Sequence, residues 1–499
     1  MAIEGIKSYY KEYPRPYHAL TEEQCEIVIN NALEILEDVG YIVELPDVRE
    51  LMLSKGCTLD ESNKALKVPR SLVMWAIETA PSFIQMYDRN GNPTMNIGGA
   101  NVYFGNGYGN PCINDFETGE RRPLVVSDVA NTSLVTDALP NIDFVMPLGD
   151  PTDVPAPISD TYGMREMLRN TTKTIMCNAV YAESLDYQFQ MVTAVAGGWE
   201  AYQEKPFVMA VGGDPVTPLF MDRFALKKLR FCAEHKIPFV APSGPELGAT
   251  APVTLAACLA LGLAENLFAM TLAQVYNPGC PVMGGLVVLS TDMKTTIPCY
   301  GAPEHMLGES AGGDLYRYMN LPLWGTAGAA ESKLVDQQLA MEYSMGIFAS
   351  TLCGGHVVHD IGFMDCAMTT HHDALTIADE IIGYSRAIAK GVDFSGDAAD
   401  IDVVKEVGPR GEFITNMHTA MHFRDNWLPT LFDRDNYTNW SVEKKDMGQR
   451  IHEKTARILA EHKVEPLPDD VNAKLDAIIA DAEAHLDEIY ASGEWRVEE

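Results

Sequence analysis

The sequence predicts an α/β fold, a TIM-type (β/α)8 barrel with an N-terminal helical extension and C-terminal helices, and three observations carry the prediction. Eight short apolar runs, most ending in Gly, Asn or Asp, recur at an average spacing of about 36 residues, close to what eight βα units of a closed barrel need. Helix-length segments separate them. Finally, Gly248–Gly285 (GATAPVTLAACLALGLAENLFAMTLAQVYNPGCPVMGG) pairs an almost wholly apolar helix with a Pro-Gly break and a glycine-edged strand, one α/β step of a large buried sheet. A doubly wound open sheet is the alternative arrangement of the same units.

In chain order, Thr21-Glu22-Glu23-Gln24 is a capping-box pattern followed by Cys25, Val28, Ala32, Ile35, Leu36 and Val39 on one helical stripe, which Gly40 ends. Residues 1–94 therefore read as a mostly helical extension, 95–400 as the barrel and 401–499 as a helical segment packed on it. The eight candidate strands are Asn101–Gly107, Asp143–Gly149, Thr172–Ala179, Pro206–Gly213, Pro238–Gly244, Pro281–Val288, Leu321–Gly328 and His356–Gly362. The first crossover carries an excursion, Cys112–Pro123 (CINDFETGERRP), whose Asp/Thr-Gly pattern predicts a hairpin. Beyond the eighth strand lie helices and the aromatic segment His418–Trp440. In the last stretch Val471, Leu475, Ile478, Ile479, Ala482, Leu486 and Ile489 recur at helical spacing.

Composition bounds the function. With 499 residues, 46% hydrophobic and 21% charged, the chain can bury a sizeable core. A net charge of −33 repels nucleic-acid backbones and anionic lipid, and favours cations and basic partners. The run Val253–Tyr276 is long enough to span a bilayer, but Glu265, Asn266 and Gln274 interrupt it, so no membrane association is expected. Because that helix is apolar nearly all round, a neighbouring subunit is expected to cover it, making a homo-oligomer. The opening residues have no apolar h-region and the ten cysteines form no CxxC pair, so a reducing cytoplasm is the expected compartment.

In such a barrel the reactive groups sit on loops at the C-terminal ends of the strands. Read in order, these are Tyr103, Asn106 and Tyr108; Asp150; Asn178 and Tyr181; Asp214; Glu246; Ser290 and Asp292; Trp324 and Thr326; and His359 with Asp360. The set is rich in aromatics and poor in cations. Aromatic faces with one or two carboxylates suit a quaternary ammonium, which has no N–H to donate and is recognised by shape, cation–π attraction and diffuse charge. Arg317, just before the seventh strand, is the nearby guanidinium able to pair with a carboxylate.

His356 and His359, followed by Asp360, resemble zinc ligands by density, but three residues apart on a strand they point to opposite faces. No metal is expected there. His371, His372 and Asp373 read as the opening of the next helix. There is no Gly-x-Ser-x-Gly elbow, and Cys177, Cys280 and Cys353 lie in apolar surroundings, which argues against covalent catalysis. Gly105-Asn106-Gly107-Tyr108-Gly109 lacks the spacing of a dinucleotide fingerprint.

Several long blocks carry a family resemblance: Gly248–Val282, Gly301–Pro322 (GAPEHMLGESAGGDLYRYMNLP), Glu331–Tyr343 (ESKLVDQQLAMEY), Gly354–Phe363 (GGHVVHDIGF) and Glu406–Trp440 (EVGPRGEFITNMHTAMHFRDNWLPTLFDRDNYTNW). In this order they resemble the trimethylamine methyltransferase family, in the branch without pyrrolysine that includes glycine betaine and related quaternary-amine methyltransferases. The resemblance runs from Thr21 to Ile489. It implies a barrel that presents a methylated amine to the Co(I) corrinoid (cobalamin) of a separate corrinoid-binding protein, with no tightly bound cofactor of its own and a place in one-carbon metabolism and anaerobic methylotrophy. Every position here is a standard residue, which points away from trimethylamine and towards a betaine: glycine betaine, carnitine, proline betaine or butyrobetaine.

In-line transfer from a quaternary nitrogen needs no protein nucleophile and no general acid, because the leaving group is a neutral amine. The expected work of the site is positioning. Tyr103, Tyr108, Tyr181 and Trp324 are assigned to an aromatic cage, Glu246 or Asp214 to a diffuse counter-charge, and His359 with Arg317 to the substrate carboxylate. A zinc-dependent corrinoid methyltransferase of the methanol or thiol type and a non-catalytic quaternary-amine binding protein are the alternatives.

Overall fold

A computed structural model of the chain describes residues 3, 5–12, 17–399 and 401–486. Eight parallel strands close into a barrel: β1 (Tyr103–Asn106), β2 (Phe144–Val145), β3 (Thr174–Cys177), β4 (Val208–Val211), β5 (Phe239–Ser243), β6 (Val282–Leu286), β7 (Leu323–Thr326) and β8 (Val357–Ile361). Each lies inside one of the eight runs read from the sequence. Closure is direct, β8 pairing with β1 through Val357–Tyr103 and Val358–Phe104. A helix follows each strand: α1 (Val126–Ala138), α2 (Ser159–Asn170), α3 (Ala182–Ala196), α4 (Arg223–His235), α5 (Leu255–Tyr276), α6 (Pro303–Met319), α7 (Gln337–Cys353) and α8 (His372–Ala389).

Successive strand residues alternate between two cores, as the two-residue period of a strand requires. Met176, Met209 and Val211 point into the barrel with Met146, Val240 and Met283. Their neighbours Ile175, Cys177, Val208 and Ala210 pack outward under the helices. The N-terminal end of the barrel is plugged. An antiparallel hairpin, Ile84–Tyr87 with Pro93–Ile97, seats Ile84, Met86, Met95 and Ile97 in the inner core, and Thr94 Oγ1 lies 2.9 Å from Thr174 Oγ1 at the start of β3. This hairpin begins in the segment 1–94 read as mostly helical and ends three residues beyond it, at Ile97.

The N-terminal capping box is present: Thr21 Oγ1 accepts from Gln24 N at 3.3 Å, and Gln24 Oε1 accepts from Thr21 N at 2.8 Å. That helix, Glu22–Glu34, lies with Arg70–Thr79 across α5, and Tyr41 stacks on Phe268 of α5 at 3.9 Å. α5 has the length and composition of a membrane span, yet its central residues are buried beneath the chain's own extension. The covering that a neighbouring subunit was expected to supply is therefore internal, and this helix gives no reason for a homo-oligomer. Its one acidic residue, Glu265, is satisfied by Thr217 Oγ1 at 2.9 Å, Leu219 N at 2.7 Å and the Ser243 hydroxyl.

At the other end, Cys112–Asn114 and Arg121–Pro123 form the expected hairpin, joined by Phe363–Met364 and Thr369–Thr370 into a four-stranded rim sheet. His371 caps α8, its Nδ1 accepting from Asp373 N at 3.1 Å. Helix Met447–Glu461 packs on α1 and α8, with Thr455 Oγ1 2.8 Å from Thr376 Oγ1. Helix Asp469–Ala484 buries Leu475, Ile479 and Ala482 and packs on α2 and α3. Ile489, the last residue of that apolar stripe, lies outside the described residues. All ten cysteines are free.

Candidate functional site

The C-terminal mouth of the barrel holds a cavity of about 380 Å³. Tyr108 enters from the loop after β1, Asp214 and Pro215 from that after β4, Ser243 and Gly244 from the end of β5, Val287, Leu289 and Tyr300 from that after β6, Trp324 from β7, and His359, Asp360 and Phe363 from β8 and its extension. Gly109 and Gly244 in the lining are exposed, so the cavity opens to solvent between these loops. None of the described lining residues is Lys or Arg.

Trp324 forms a flat wall. Its indole stacks on the His359 imidazole, centroids 3.5 Å apart and planes 24° from parallel. His359 is fixed in turn: Nδ1 donates to Gly325 O at 2.8 Å, and Nε2 lies 2.9 Å from Asp360 Oδ1. With Nδ1 committed as a donor, Nε2 is the ring atom left facing the carboxyl. A bulge between Val358 and Ile361 turns Asp360 towards the ring, in the left-handed region at φ +72°. Gly107 opposite is required by space, since a Cβ there would lie 2.3 Å from the Phe363 ring and 2.7 Å from Asp360 Oδ1.

A second layer holds the end of β7. His305 Nδ1 donates to Val288 O at 2.6 Å and its Nε2 meets Thr326 Oγ1 at 2.9 Å, while Glu309 Oε2 accepts from Thr326 N at 2.8 Å. Burial favours the neutral forms of both, lowering the His305 pKa and raising that of Glu309 far above the carboxylate range.

Asp214 is paired with Lys228 Nζ at 2.9 Å, and the same ammonium donates to Ala179 O at 2.9 Å. Its other oxygen, Oδ1, is buried without a hydrogen-bond partner, as is the Trp324 indole N–H. Burial, reinforced by the Asp214 and Asp360 carboxylates, pushes the Tyr108 phenol well up. Burial, with Asp360 and Glu246, does the same to Tyr300. Both phenols stay neutral at physiological pH.

Of the residues assigned from sequence, Tyr108, Asp214, Trp324 and His359 meet in this cavity. Four others do not. Tyr103 starts β1 rather than ending it, and its hydroxyl accepts from Asn96 N at 3.0 Å in the plug. Tyr181 packs edge-on against Phe224, ring centroids 5.3 Å apart, outside the lining. Glu246 stands on the rim, in a short strand paired with Leu289–Asp292. Arg317 precedes β7 and so lies at the opposite end: it binds Asp314 at 2.9 Å and Cys353 O, and Asp314 in turn accepts from Ala19 N at 2.8 Å and Leu20 N at 2.9 Å of the N-terminal extension. Its role is to tie that extension to α6.

Tyr300 and Phe363 were missed as wall residues. Phe363 lies two positions beyond the end of β8 and Tyr300 fourteen beyond the end of β6, and the signal for Tyr300 is an aromatic in the long segment between β6 and α6. His356 faces away from the cavity, Nδ1 accepting from Leu323 N at 2.9 Å and Nε2 lying 3.2 Å from Gly99 O. Among the described residues no three His, Cys, Asp or Glu side chains converge as metal ligands. Burial raises the Cys280 thiol to about 12 and that of Cys353 to about 11, which keeps both as unreactive thiols.

Comparison with known proteins places this geometry in a lineage. The trimethylamine methyltransferase (MTTB) family matches residues 3–487. Glycine betaine methyltransferase of Desulfitobacterium hafniense (strain Y51) is 31% identical over 467 residues, 93% of this chain and 97% of the relative. Trimethylamine methyltransferase MttB of Desulfitobacterium hafniense (strain DSM 10664 / DCB-2) is 29% identical over 464 residues, covering 93% of each chain. Among solved structures, the monomethylamine methyltransferase MtmB of Methanosarcina barkeri superimposes with a TM-score of 0.51 at 9% identity, over 93% of this chain and 94% of the other. At that identity the likeness is one of fold.

Proposed function

Since the chain belongs to the trimethylamine methyltransferase family, we propose that it moves a methyl group from a betaine-type quaternary amine to the Co(I) corrinoid of a separate carrier protein. Glycine betaine, carnitine, proline betaine and butyrobetaine are the candidate donors. The observation that carries this reading is the cavity at the mouth, walled by Tyr108, Tyr300, Trp324 and Phe363 and bearing two carboxylates.

Each desolvated aromatic contact with a quaternary nitrogen contributes about 0.5–2 kcal/mol, so this set holds such a cation without a hydrogen bond. The carboxylates are moderated. Asp214 shares its charge with Lys228, and Asp360 faces His359. A bare buried carboxylate would stabilise the cationic substrate more than a transition state in which that charge is vanishing. The carboxylate at the far end of a betaine needs a donor: with Arg317 at the other end of the barrel and both His359 nitrogens engaged by Gly325 O and Asp360, the unpartnered Trp324 N–H is a lining donor left to meet it.

The carrier's corrinoid supplies the nucleophilic Co(I). This chain's residues fit such a donor–acceptor meeting: exposed Gly109 and Gly244 leave the mouth open towards a partner, and the walls hold the substrate and exclude water. No residue has to give or take a proton. Incubation with reduced cobalamin and a panel of quaternary amines, followed by the absorbance of methyl-cobalt, tests the proposal. A betaine that methylates the cobalt supports it; a panel on which every betaine is inert contradicts it.

A further inference from the structure

Asp214 and Asp360 line the mouth cavity, and none of the described lining residues is Lys or Arg. Lys228, the ammonium behind Asp214, is 4% exposed and already spent on Asp214 Oδ2 and Ala179 O, each at 2.9 Å. His359 is held between Gly325 O and Asp360. Further carboxylates add to the field, Asp150 towards Tyr108 and Glu246 and Glu331 towards Tyr300. The pocket is therefore built around negative charge, and what a donor carries at its far end decides how well it fits.

A quaternary nitrogen gains from that field whatever its tail. A carboxylate tail must leave water for a pocket that offers it neutral donors and like charges, and like charges brought together away from water repel strongly. An uncharged hydroxyl tail avoids the repulsion and keeps the whole of the cationic attraction. It also brings what one wall residue lacks. Asp214 Oδ1 has no hydrogen-bond partner, and a carboxylate oxygen accepts but does not donate. Glycine betaine has no O–H or N–H to give it, whereas a hydroxyalkyl group does.

We propose that the site takes a further class of donor: quaternary amines with a hydroxyl in place of the carboxylate, of the 2-hydroxyethyl-trimethylammonium (choline) type, whose O–H is donated to Asp214. This rests on the reading that a quaternary nitrogen docks in the mouth and loses a methyl group, and adds a class of tail to it. The transfer itself is unchanged. The C–N bond breaks with its electron pair left on nitrogen, and the electron pair of the Co(I) acceptor forms the new bond to carbon. The products are methyl-Co(III) and neutral 2-(dimethylamino)ethanol, and no proton moves.

Three donors that differ at the tail alone test the assignment on the wild-type chain: choline, its O-methyl ether and glycine betaine, each incubated with reduced cobalamin and followed by the absorbance of methyl-cobalt. Choline is expected to match or exceed glycine betaine in kcat/KM. It should exceed the ether, which keeps the positive charge but has no O–H, by roughly tenfold or more. Asp214→Asn removes one negative charge and should shift the ratio of kcat/KM for choline to that for glycine betaine by roughly tenfold or more towards the betaine. Because a ratio does not depend on the folded fraction, a poorly folding variant still reports. Choline slower than glycine betaine or inert, choline no better than its ether, or a ratio unmoved by the substitution would each overturn the proposal, and turnover of a betaine in the first case would leave the betaine reading standing. Transfer from choline with every betaine inert would support the proposal and remove the betaine reading instead.

Discussion

The two ends of the barrel are built from the same eight strands and finished in opposite ways. At the N-terminal end a hairpin drives Met86 and Met95, both fully buried, into the inner core, and the Tyr103 hydroxyl is satisfied by Asn96 N. At the C-terminal end the loops after β1, β4, β5, β6 and β8 stand back, with Trp324 of β7, around about 380 Å³ of space, and Asp214 Oδ1 and the Trp324 N–H lack partners. An end that satisfies its own polar groups is scaffold; an end that leaves buried donors and acceptors unmet has room for a ligand's chemistry. Tyr103 and Tyr108, five residues apart, fall on opposite sides of that division.

Substitutions that treat the ends alike or differently sharpen the contrast. The largest effect is expected at the plugged end: Arg317→Ala leaves buried Asp314 with only His18 and the Ala19 and Leu20 amides to offset its charge and should cost about 3 kcal/mol of stability, read by chemical denaturation, with the activity of the folded fraction unchanged. At the mouth the effect moves from stability to binding. Tyr108→Ala, at a half-buried position, should raise the KM for the quaternary amine roughly tenfold to thirtyfold, from about 2 kcal/mol of lost cation–π attraction, while Tyr103→Ala leaves KM unchanged. Equal increases from both would break the comparison.

Asp150, just beyond β2, gives a pH test of the same end. Burial, and then Asp160, raises its carboxyl from the usual range to about 6. A raised carboxyl favours the fold while protonated, below about pH 4, and that contribution is lost as the pH rises through about 6. Asp150→Asn should therefore stabilise the protein at pH 7.5 by about 1–2 kcal/mol and lose that advantage at pH 4, as thermal unfolding at the two pH values will read. Smallest is Tyr103→Phe, which removes one hydrogen bond and should cost about 1 kcal/mol with no change in KM.

The strands were legible because parallel strands buried on both faces read as unbroken apolar runs, and the loops that follow announce themselves with Gly, Asn and Asp. Runs such as PFVMAVGG and PFVAPSG leave no other assignment once helices separate them. The plug hairpin was not legible: Ile84–Tyr87 is short and alternating, and only its partner across the turn makes it a strand. In the site, residues at the strand ends themselves, Trp324 and His359, were placed by position alone. Tyr103 and Arg317 were misplaced because proximity to a strand does not say which end of it is meant. Tyr300 and Phe363 come from excursions whose path is set by rim pairing between distant segments, such as Thr369–Thr370 with Cys112–Ile113.

The central claim is that the mouth of the barrel recognises a fixed positive charge by aromatic faces. Titration calorimetry of the wild type and Tyr108→Ala with a betaine and with its neutral tert-butyl isostere, identical in shape but lacking the charge, measures this directly. The account predicts that the wild type binds the cation at least tenfold more tightly than the isostere and that the variant loses most of that preference. Equal affinity of the wild type for both compounds would contradict it.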